Sequence, residues 1–242
     1  VDRSRGLGDV YKRQINRRFD DRIRASYSTM EDVDSLDKIQ HDLIREALRL
    51  TGIDSGIEIT TIADIPGQGT GLGSSSTVTV GLLNAMHAFQ GRKVSKEQLA
   101  DEACQIEIDT LGAPIGRQDQ YAASFGGVNS IRFGENGVHV EPIEVSEGLS
   151  KKFSENFTLV FTGLTRSASK VLSEQSDDES DKNSRMREIR KHADEAASHI
   201  ENGDLDSLGA ILNQTWISKR GVSSMVTNTQ IDDLYERVIS SG

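Results

Sequence analysis

The sequence predicts an α+β fold in two domains, and three observations lead to that class. Its 242 residues are enough for one or two domains with a sizeable buried core. Apolar residues make up 35% and charged residues 27%, a balance typical of globular proteins. Strand-like alternation dominates before residue 150 and helical periodicity after it, so this change marks the predicted domain boundary.

Charge and composition exclude several classes of protein. The chain carries 28 lysines and arginines against 38 acidic residues, a net charge of −10, which argues against nucleic-acid binding. No apolar run approaches the ~18 residues of a membrane span, and no signal-peptide pattern opens the chain. We therefore expect a cytoplasmic protein with neither a nucleic-acid nor a membrane partner. A single cysteine excludes a disulfide framework.

Both ends of the chain read as unnatural termini. Residues 1–14 show neither helical nor strand periodicity and resemble a fusion scar, so we expect a non-native or disordered leader there. Residues 238–242 close a helical pattern and read equally as a helix end or as a truncation. We therefore expect an internal fragment of a longer protein, with domains over residues 15–146 and 155–242.

The first domain alternates strand and helix patterns. Apolar residues at helical spacing predict helices at 36–50, 78–89 and 95–112. Gly52 and Gly91 are stop signals, and Ser95–Gln98 is a capping box. Strands are predicted within 15–28 and at 57–61, a short helix at 120–125, and a hairpin at 128–133 and 138–145.

The second domain is mostly helical in pattern. Residues 147–155 are polar and predict a linker, and the apolar run 157–161 predicts a strand. Residues 175–183 are charged and predict a surface loop or a frayed helix start. Helical spacing then predicts three helices, at 186–200, 205–216 and 231–238.

The clearest functional signal is a glycine-rich loop that runs into an apolar helix. Glycines stand at positions 67, 69, 71 and 73, followed by serines at 74, 75 and 76. Such a loop lets backbone N–H groups converge on an anion, and the helix start adds its own donors and positive dipole end. The loop has no Lys before the serines and no G-x-G-x-x-G, so two commoner phosphate and dinucleotide motifs are excluded. The alternative is a linker or a tight strand-to-helix turn.

Pro66–Ser76 resembles the glycine-serine motif of the GHMP kinase superfamily. Within it, Ile15–Arg24, Asp64–Ala85 and Gly112–Phe133 are similar to the D-glycero-D-manno-heptose 7-phosphate kinase branch. The resemblance implies a two-domain GHMP kinase fold. Its N-terminal domain would be ribosomal protein S5 domain 2-like, and its C-terminal domain ferredoxin-like and incomplete. The first and third motifs of the superfamily would lie before Ile15 and after Gly242.

The resemblance also implies a site for ATP and Mg²⁺. The residues that would bind the ATP phosphates are Gly69, Thr70, Gly71, Leu72, Gly73, Ser74, Ser75 and Ser76. Ser75 and Glu107 would hold Mg²⁺, which favours carboxylate and hydroxyl oxygens together with phosphate oxygens. For Glu107, the alternative is a place on a solvated helix face.

Asp119 is the catalytic residue that the resemblance implies. It would accept the proton of the acceptor hydroxyl or orient that hydroxyl, and the sequence does not distinguish these roles. The alternative is an N-cap for the short helix Gln120–Phe125. Arg117, Arg166 and Arg22 are candidates for binding a substrate phosphate, because guanidinium binds phosphate bidentately. Ordinary surface arginines are the alternative for each.

The function that follows is an ATP-dependent sugar kinase. It would transfer the γ-phosphoryl group to the anomeric hydroxyl of D-glycero-D-manno-heptose 7-phosphate. Two alternatives stay open: a kinase for another sugar such as fucose or galactose, and a catalytically silent sensor that binds sugar and ATP. The sequence fixes neither the oligomeric state nor whether this chain turns over by itself.

Overall fold

The computed structural model describes residues 11–63, 72–160, 162–163, 179–223 and 226–241. They fall into two compact units, and the division lies between Gly126 and Gly127. The mixed α+β class is confirmed in both units.

The first unit contains a four-stranded sheet. The strands are β1 (Tyr11–Arg17), β2 (Ile23–Ser26), β3 (Met30–Val33) and β4 (Ile57–Ala63). They lie in the order β1-β4-β2-β3, with β2 and β4 parallel and the other pairs antiparallel. Strand β1 pairs with β4 over its full length, from Tyr11 opposite Ala63 to Arg17 opposite Ile57. Residues 11–14 therefore belong to the sheet, and the expectation of a disordered leader is wrong for them.

The helices of the first unit are α1 (Asp42–Thr51), α2 (Ser74–Phe89), α3 (Lys96–Cys104) and α4 (Gln118–Phe125). A 3-10 turn at Leu36–Lys38 precedes α1, and a π-helix at Gln105–Thr110 continues α3. The stop signal at Gly52 is confirmed, because this residue caps α1 in the left-handed conformation with φ 71°. The helix start at Ser95 is confirmed as an N-cap, since the Ser95 side chain accepts from the Gln98 N–H. The reciprocal half of a capping box is not formed, because the Gln98 side chain donates to Glu102 instead.

One face of the sheet and the inner faces of α1 and α2 form the core. Alternate residues of β2 and β4 are fully buried, as the period of a half-buried strand requires. The helices add buried side chains at helical spacing, among them Leu48 from α1 and Leu83 and Met86 from α2. Each such side chain contributes about 1.5–3 kcal/mol by leaving water. This core fixes α2 against the sheet and so fixes the position of its N-terminus.

The described residues of the second unit form a hairpin and four helices. The hairpin joins β5 (Asn129–Gly134) and β6 (Gly137–Pro142), and the helices are α5 (Glu147–Asn156), α6 (Glu179–Asn202), α7 (Leu205–Arg220) and α8 (Thr229–Ser240). The predicted hairpin and the last three predicted helices are confirmed. Gly137 has φ 111°, which explains the glycine in the turn.

Three predictions about the second unit are wrong. Residues 147–156 form helix α5 rather than a linker, because Ser146 caps its first turn by accepting from the Leu149 N–H. Phe157–Val160 has no regular structure, because an apolar run forms a strand only where another strand pairs with it, and no described strand does so. The division between units precedes the hairpin, since Arg132 of β5 forms a 3.0 Å ion pair with Asp194 of α6.

Within the described ranges, none of the helices has both the length and the apolar composition that a membrane span requires.

Candidate active site

Helix α2 begins at the end of the glycine-rich loop. Its N-cap is Gly73, whose left-handed backbone (φ 64°, ψ 32°) turns the chain into the helix. Ser75 is exposed, whereas Ser74 and Ser76 are buried. The first N–H groups of any helix lack intrahelical partners and lie at the positive end of the helix dipole. The N-terminal end of α2 therefore favours an anion. Gly69, Thr70 and Gly71 lie outside the described residues.

Asp119 lies against Gly73. Its helix, α4, begins at Gln118 with Arg117 as N-cap, so the N-cap interpretation of Asp119 is wrong. The side chain is exposed and stands in the first turn of α4. A Cβ added to Gly73 would lie 3.3 Å from both Cγ and Oδ2 of Asp119. Glycine is therefore needed here for its backbone conformation and also for the space that Asp119 occupies.

Glu107 lies in the π-helix that follows α3. Such wide turns are rare and frequently occur at functional sites. Here Ile106 and Glu107 are both buried although they are consecutive, and Glu107 is only 3% exposed. The interpretation of Glu107 as part of a solvated helix face is therefore wrong.

Two neutral side chains hold the Glu107 carboxylate. Ser76 Oγ donates to Oε2 at 3.4 Å, and Gln120 Nε2 donates to Oε1 at 3.2 Å. No lysine, arginine or histidine of the described ranges forms an ion pair with this carboxylate. Ser76 comes from α2 and Gln120 from α4, so the carboxylate joins three segments of the first unit.

The carboxylate and hydroxyl oxygens at the N-terminal end of α2 are suitable ligands for a hard cation. Carboxylate and hydroxyl oxygens are the ligands that Mg²⁺ accepts, and a buried carboxylate without a cationic partner is costly unless a cation compensates it. The described ranges hold no cluster of three or more His, Cys, Asp or Glu side chains suited to a metal. A cation here would therefore need further ligands from hydroxyl groups, water or a bound anion.

The candidate arginines are dispersed. Arg117 is half-exposed next to this site and lies 3.6 Å from Asp101 Oδ1. Arg22 donates to Asp32 through Nε at 2.5 Å and through Nη2 to its carbonyl oxygen at 2.7 Å. Its hydrogen bond lowers the pKa of Asp32 below the ordinary range. Arg166 lies outside the described residues.

A second polar group borders Arg117 and was not found from the sequence. The Tyr121 hydroxyl donates to Asp101 Oδ1 at 2.6 Å. Burial raises the pKa of Tyr121 to about 12, and the hydrogen bond to Asp101 adds to this effect. Burial also raises the pKa of the Cys104 thiol. Tyr121 and Cys104 therefore stay protonated at neutral pH. The hydrogen bond from Tyr121 to Asp101 links α4 to α3.

Sequence reasoning also missed the side chains that contact Glu107. Ser76 was noted only as part of the phosphate loop, and Gln120 only as the start of a short helix. The one signal for Gln120 was its position directly after Asp119, and a polar residue in a short helix is otherwise typical of a surface.

Comparison with known proteins shows what this part of the chain resembles. Residues 39–127 match the model of the GHMP kinases N terminal domain. The chain is 32% identical over 185 residues to a D-glycero-alpha-D-manno-heptose 7-phosphate kinase of Campylobacter jejuni, which covers 75% of this chain and 54% of that enzyme. The chain thus spans about half the length of this curated relative.

Two solved structures share the fold. One is a D-glycero-D-manno-heptose 1-phosphate kinase from Bacteroides thetaiotaomicron, with a TM-score of 0.72 and 26% identity over 87% of this chain and 67% of that one. The other is a putative sugar kinase from Campylobacter jejuni, with a TM-score of 0.73 and 26% identity over 96% of this chain and 71% of that one. Gly73, Glu107, Asp119 and Gln120 all lie inside the matched family domain.

Proposed function

We propose that this chain belongs to an ATP-dependent sugar kinase, because residues 39–127 match the model of the GHMP kinases N terminal domain. The observation that supports the proposal most is the arrangement at the N-terminus of α2. There an exposed carboxylate, Asp119, lies against Gly73, and Ser76 in the first turn of α2 hydrogen-bonds the buried carboxylate of Glu107. One acidic group is open to a substrate, while the other is held for a cation.

The phosphates of ATP would bind where the glycine-rich loop meets α2. Backbone N–H groups of Gly69, Thr70, Gly71, Leu72 and Gly73 would contact them, with Ser74, Ser75 and Ser76 at the helix start. Leu72 and Ser75 are exposed at this end, so an anion can reach the helix terminus. This placement uses the positive end of the helix dipole in a protein whose net charge is −10.

Mg²⁺ would be held by Ser75 and Glu107. When bound, the ion neutralises charge on the phosphoryl group that is transferred. Ser75 offers an exposed hydroxyl at the phosphate end of α2. Glu107 offers a carboxylate whose protein partners are the neutral groups of Ser76 and Gln120.

Asp119 would act on the acceptor. The acceptor oxygen attacks the γ-phosphorus, the bond to the β–γ bridging oxygen breaks, and ADP leaves. The hydroxyl proton passes to the Asp119 carboxylate, or that carboxylate aligns the hydroxyl for in-line attack. The exposure of Asp119 in the first turn of α4 leaves it open to a bound sugar.

The acceptor we propose is D-glycero-D-manno-heptose 7-phosphate, at its anomeric hydroxyl. The similarity to the heptose 7-phosphate kinase of Campylobacter jejuni supports it. Arg117 is the described candidate for the sugar phosphate, since it is half-exposed and stands two residues before Asp119. Arg166 remains a candidate, whereas Arg22 already binds Asp32. In this proposal the two units are the S5 domain 2-like and ferredoxin-like domains of the family.

ADP release with Mg-ATP tests the proposal. Heptose 7-phosphate, free heptose, galactose and fucose are each supplied alone, and we expect turnover with the phosphorylated heptose. Asp119→Asn should lower kcat by about 10²–10⁴-fold while nucleotide binding survives, because a positioned general base contributes that much. Turnover with a free sugar instead would change the acceptor. ATP binding without turnover on any of these sugars would favour the silent sensor.

A further inference from the structure

We propose that Gln120 is a positioning residue that holds the Glu107 carboxylate for the cation and links it to Asp119. The inference rests on the proposed function. Gln120 is fully buried, and its Nε2 donates to Glu107 Oε1 at 3.2 Å. Ser76 donates to the other oxygen at 3.4 Å. With a donor on each oxygen, the carboxylate is held against rotation about its terminal bond.

The neutrality of the amide matters for this role. A lysine or arginine in place of Gln120 would compensate the charge of Glu107 and occupy the place of a cation. The amide orients the carboxylate and leaves its negative charge available. Among the described residues no other side chain donates to Oε1 of Glu107, so removal of Gln120 would leave that oxygen buried without a partner.

Gln120 also lowers the stability of the fold, which argues against a purely structural role. Its own Oε1 is buried and has no hydrogen-bond partner in the described part of the chain. A buried polar atom without a partner destabilises a fold, so an apolar side chain of similar length would pack here at lower cost. The hydrogen bond to Glu107 is the one polar contact described for this side chain, and it explains why an amide occupies the position.

The same residue connects the two acidic groups of the site. Gln120 and Asp119 are neighbours in the first turns of α4, and they point in different directions. Gln120 is buried against Glu107, while Asp119 is exposed and packs against Gly73. A change in the Gln120 contact therefore shifts the start of α4 and alters the spacing between Glu107 and Asp119.

The test measures metal binding apart from turnover. Mn²⁺ is titrated by electron paramagnetic resonance into the protein saturated with a non-hydrolysable ATP analogue. Gln120→Met should weaken Mn²⁺ binding about 10–100-fold, which is the usual effect of losing a residue that orients a metal ligand. Affinity for the analogue without metal should not change. Gln118→Met is the matched control, because Gln118 is an exposed glutamine of the same turn, and its Mn²⁺ affinity should equal that of the wild type.

A double-mutant cycle with Glu107→Gln completes the design. If Gln120 acts through Glu107, the double variant should bind Mn²⁺ no more weakly than Glu107→Gln alone. Additive losses would overturn the proposal, and so would wild-type Mn²⁺ affinity in Gln120→Met. Should Gln120→Met fail to fold, Gln120→Asn, which keeps the amide but is one carbon too short, must show the same weakening. Wild-type protein that binds neither the analogue nor Mn²⁺ would refute the proposed function itself.

Discussion

Helix α2 meets an acidic side chain of the α3–π-helix segment at each of its ends. At the C-terminal end, His87 Nε2 lies 2.6 Å from Glu102 Oε2, and Gln98 donates to the other oxygen. At the N-terminal end, Ser76 and Gln120 hold Glu107 through neutral groups. The first contact pairs a carboxylate with an imidazole, whereas in the second only a hydroxyl and an amide contact the carboxylate among the described residues.

From this difference we expect a structural role for the contact at the C-terminal end and a functional role for the one at the N-terminal end. A buried charge without a counter-charge lowers stability, and proteins keep such features chiefly where a ligand or a reaction requires them. The same is true of Gly73 compared with Gly91, which follows the other end of α2. Both glycines have left-handed backbones, but Gly73 has the Asp119 side chain against it, whereas nothing lies within 4 Å of a Cβ added to Gly91. The N-terminal end of α2 should therefore respond to substitution in its activity, and the C-terminal end in its stability.

Among the substitutions at the two ends of α2, Glu107→Gln should have the largest effect on metal binding and turnover. The substitution removes the uncompensated buried charge and retains the shape, so the melting temperature should rise or stay unchanged. Metal affinity and turnover should both fall, with Mn²⁺ binding weakened by at least about 10–100-fold. Differential scanning calorimetry and the Mn²⁺ titration measure the two effects. A large drop in melting temperature with normal metal binding would show that Glu107 is a structural residue.

Substitution of Gly73 should have a smaller effect on activity, and the same substitution at Gly91 serves as its control. Gly73→Ala and Gly91→Ala should each cost about 1–2 kcal/mol of unfolding free energy, because both place a Cβ in a left-handed backbone. Only Gly73→Ala should also lower kcat, by up to about 10²-fold, since its Cβ would lie 3.3 Å from Asp119 and push that side chain aside. Urea unfolding and ADP release measure these quantities. An equal loss of activity in both variants would mean that backbone strain alone disturbs the site.

Much of the fold could be predicted from the sequence because local signals determine it. Gly52, the N-cap at Ser95 and the Asn136-Gly137 turn each act through backbone geometry that neighbouring residues specify. Helix α5 was missed although its cap at Ser146 is a local signal, whereas two other errors lie where a distant partner decides. Residues 11–14 became a strand because β4 pairs with them, and the apolar run Phe157–Val160 did not, because no described strand does.

The candidate site likewise has a part that local sequence signals predict and a part that depends on distant residues. The glycine-serine loop is a local motif, and Asp119 and Glu107 were candidates through the resemblance of the surrounding stretches. The contacts of Gln120 and Ser76 with Glu107 join residues separated by 13 and 31 positions, and no periodicity in the sequence indicates them. The π-helix that buries Glu107 was likewise predicted only as the end of an ordinary helix.

The smallest effect on stability and activity should come from Glu102→Gln. Glu102 lies in α3 and contacts His87 near the C-terminal end of α2. The amide keeps a hydrogen-bonding group beside His87 but removes the charge, so the loss should be about 1 kcal/mol of unfolding free energy. Metal binding and kcat should equal those of the wild type, because the side-chain hydrogen bonds described for His87 and Glu102 reach no residue of the proposed site. Urea unfolding and ADP release, run beside Glu107→Gln, measure both. A fall in kcat without a fall in stability would show that the two ends of α2 are coupled, and Glu102 would then join the residues that position the site.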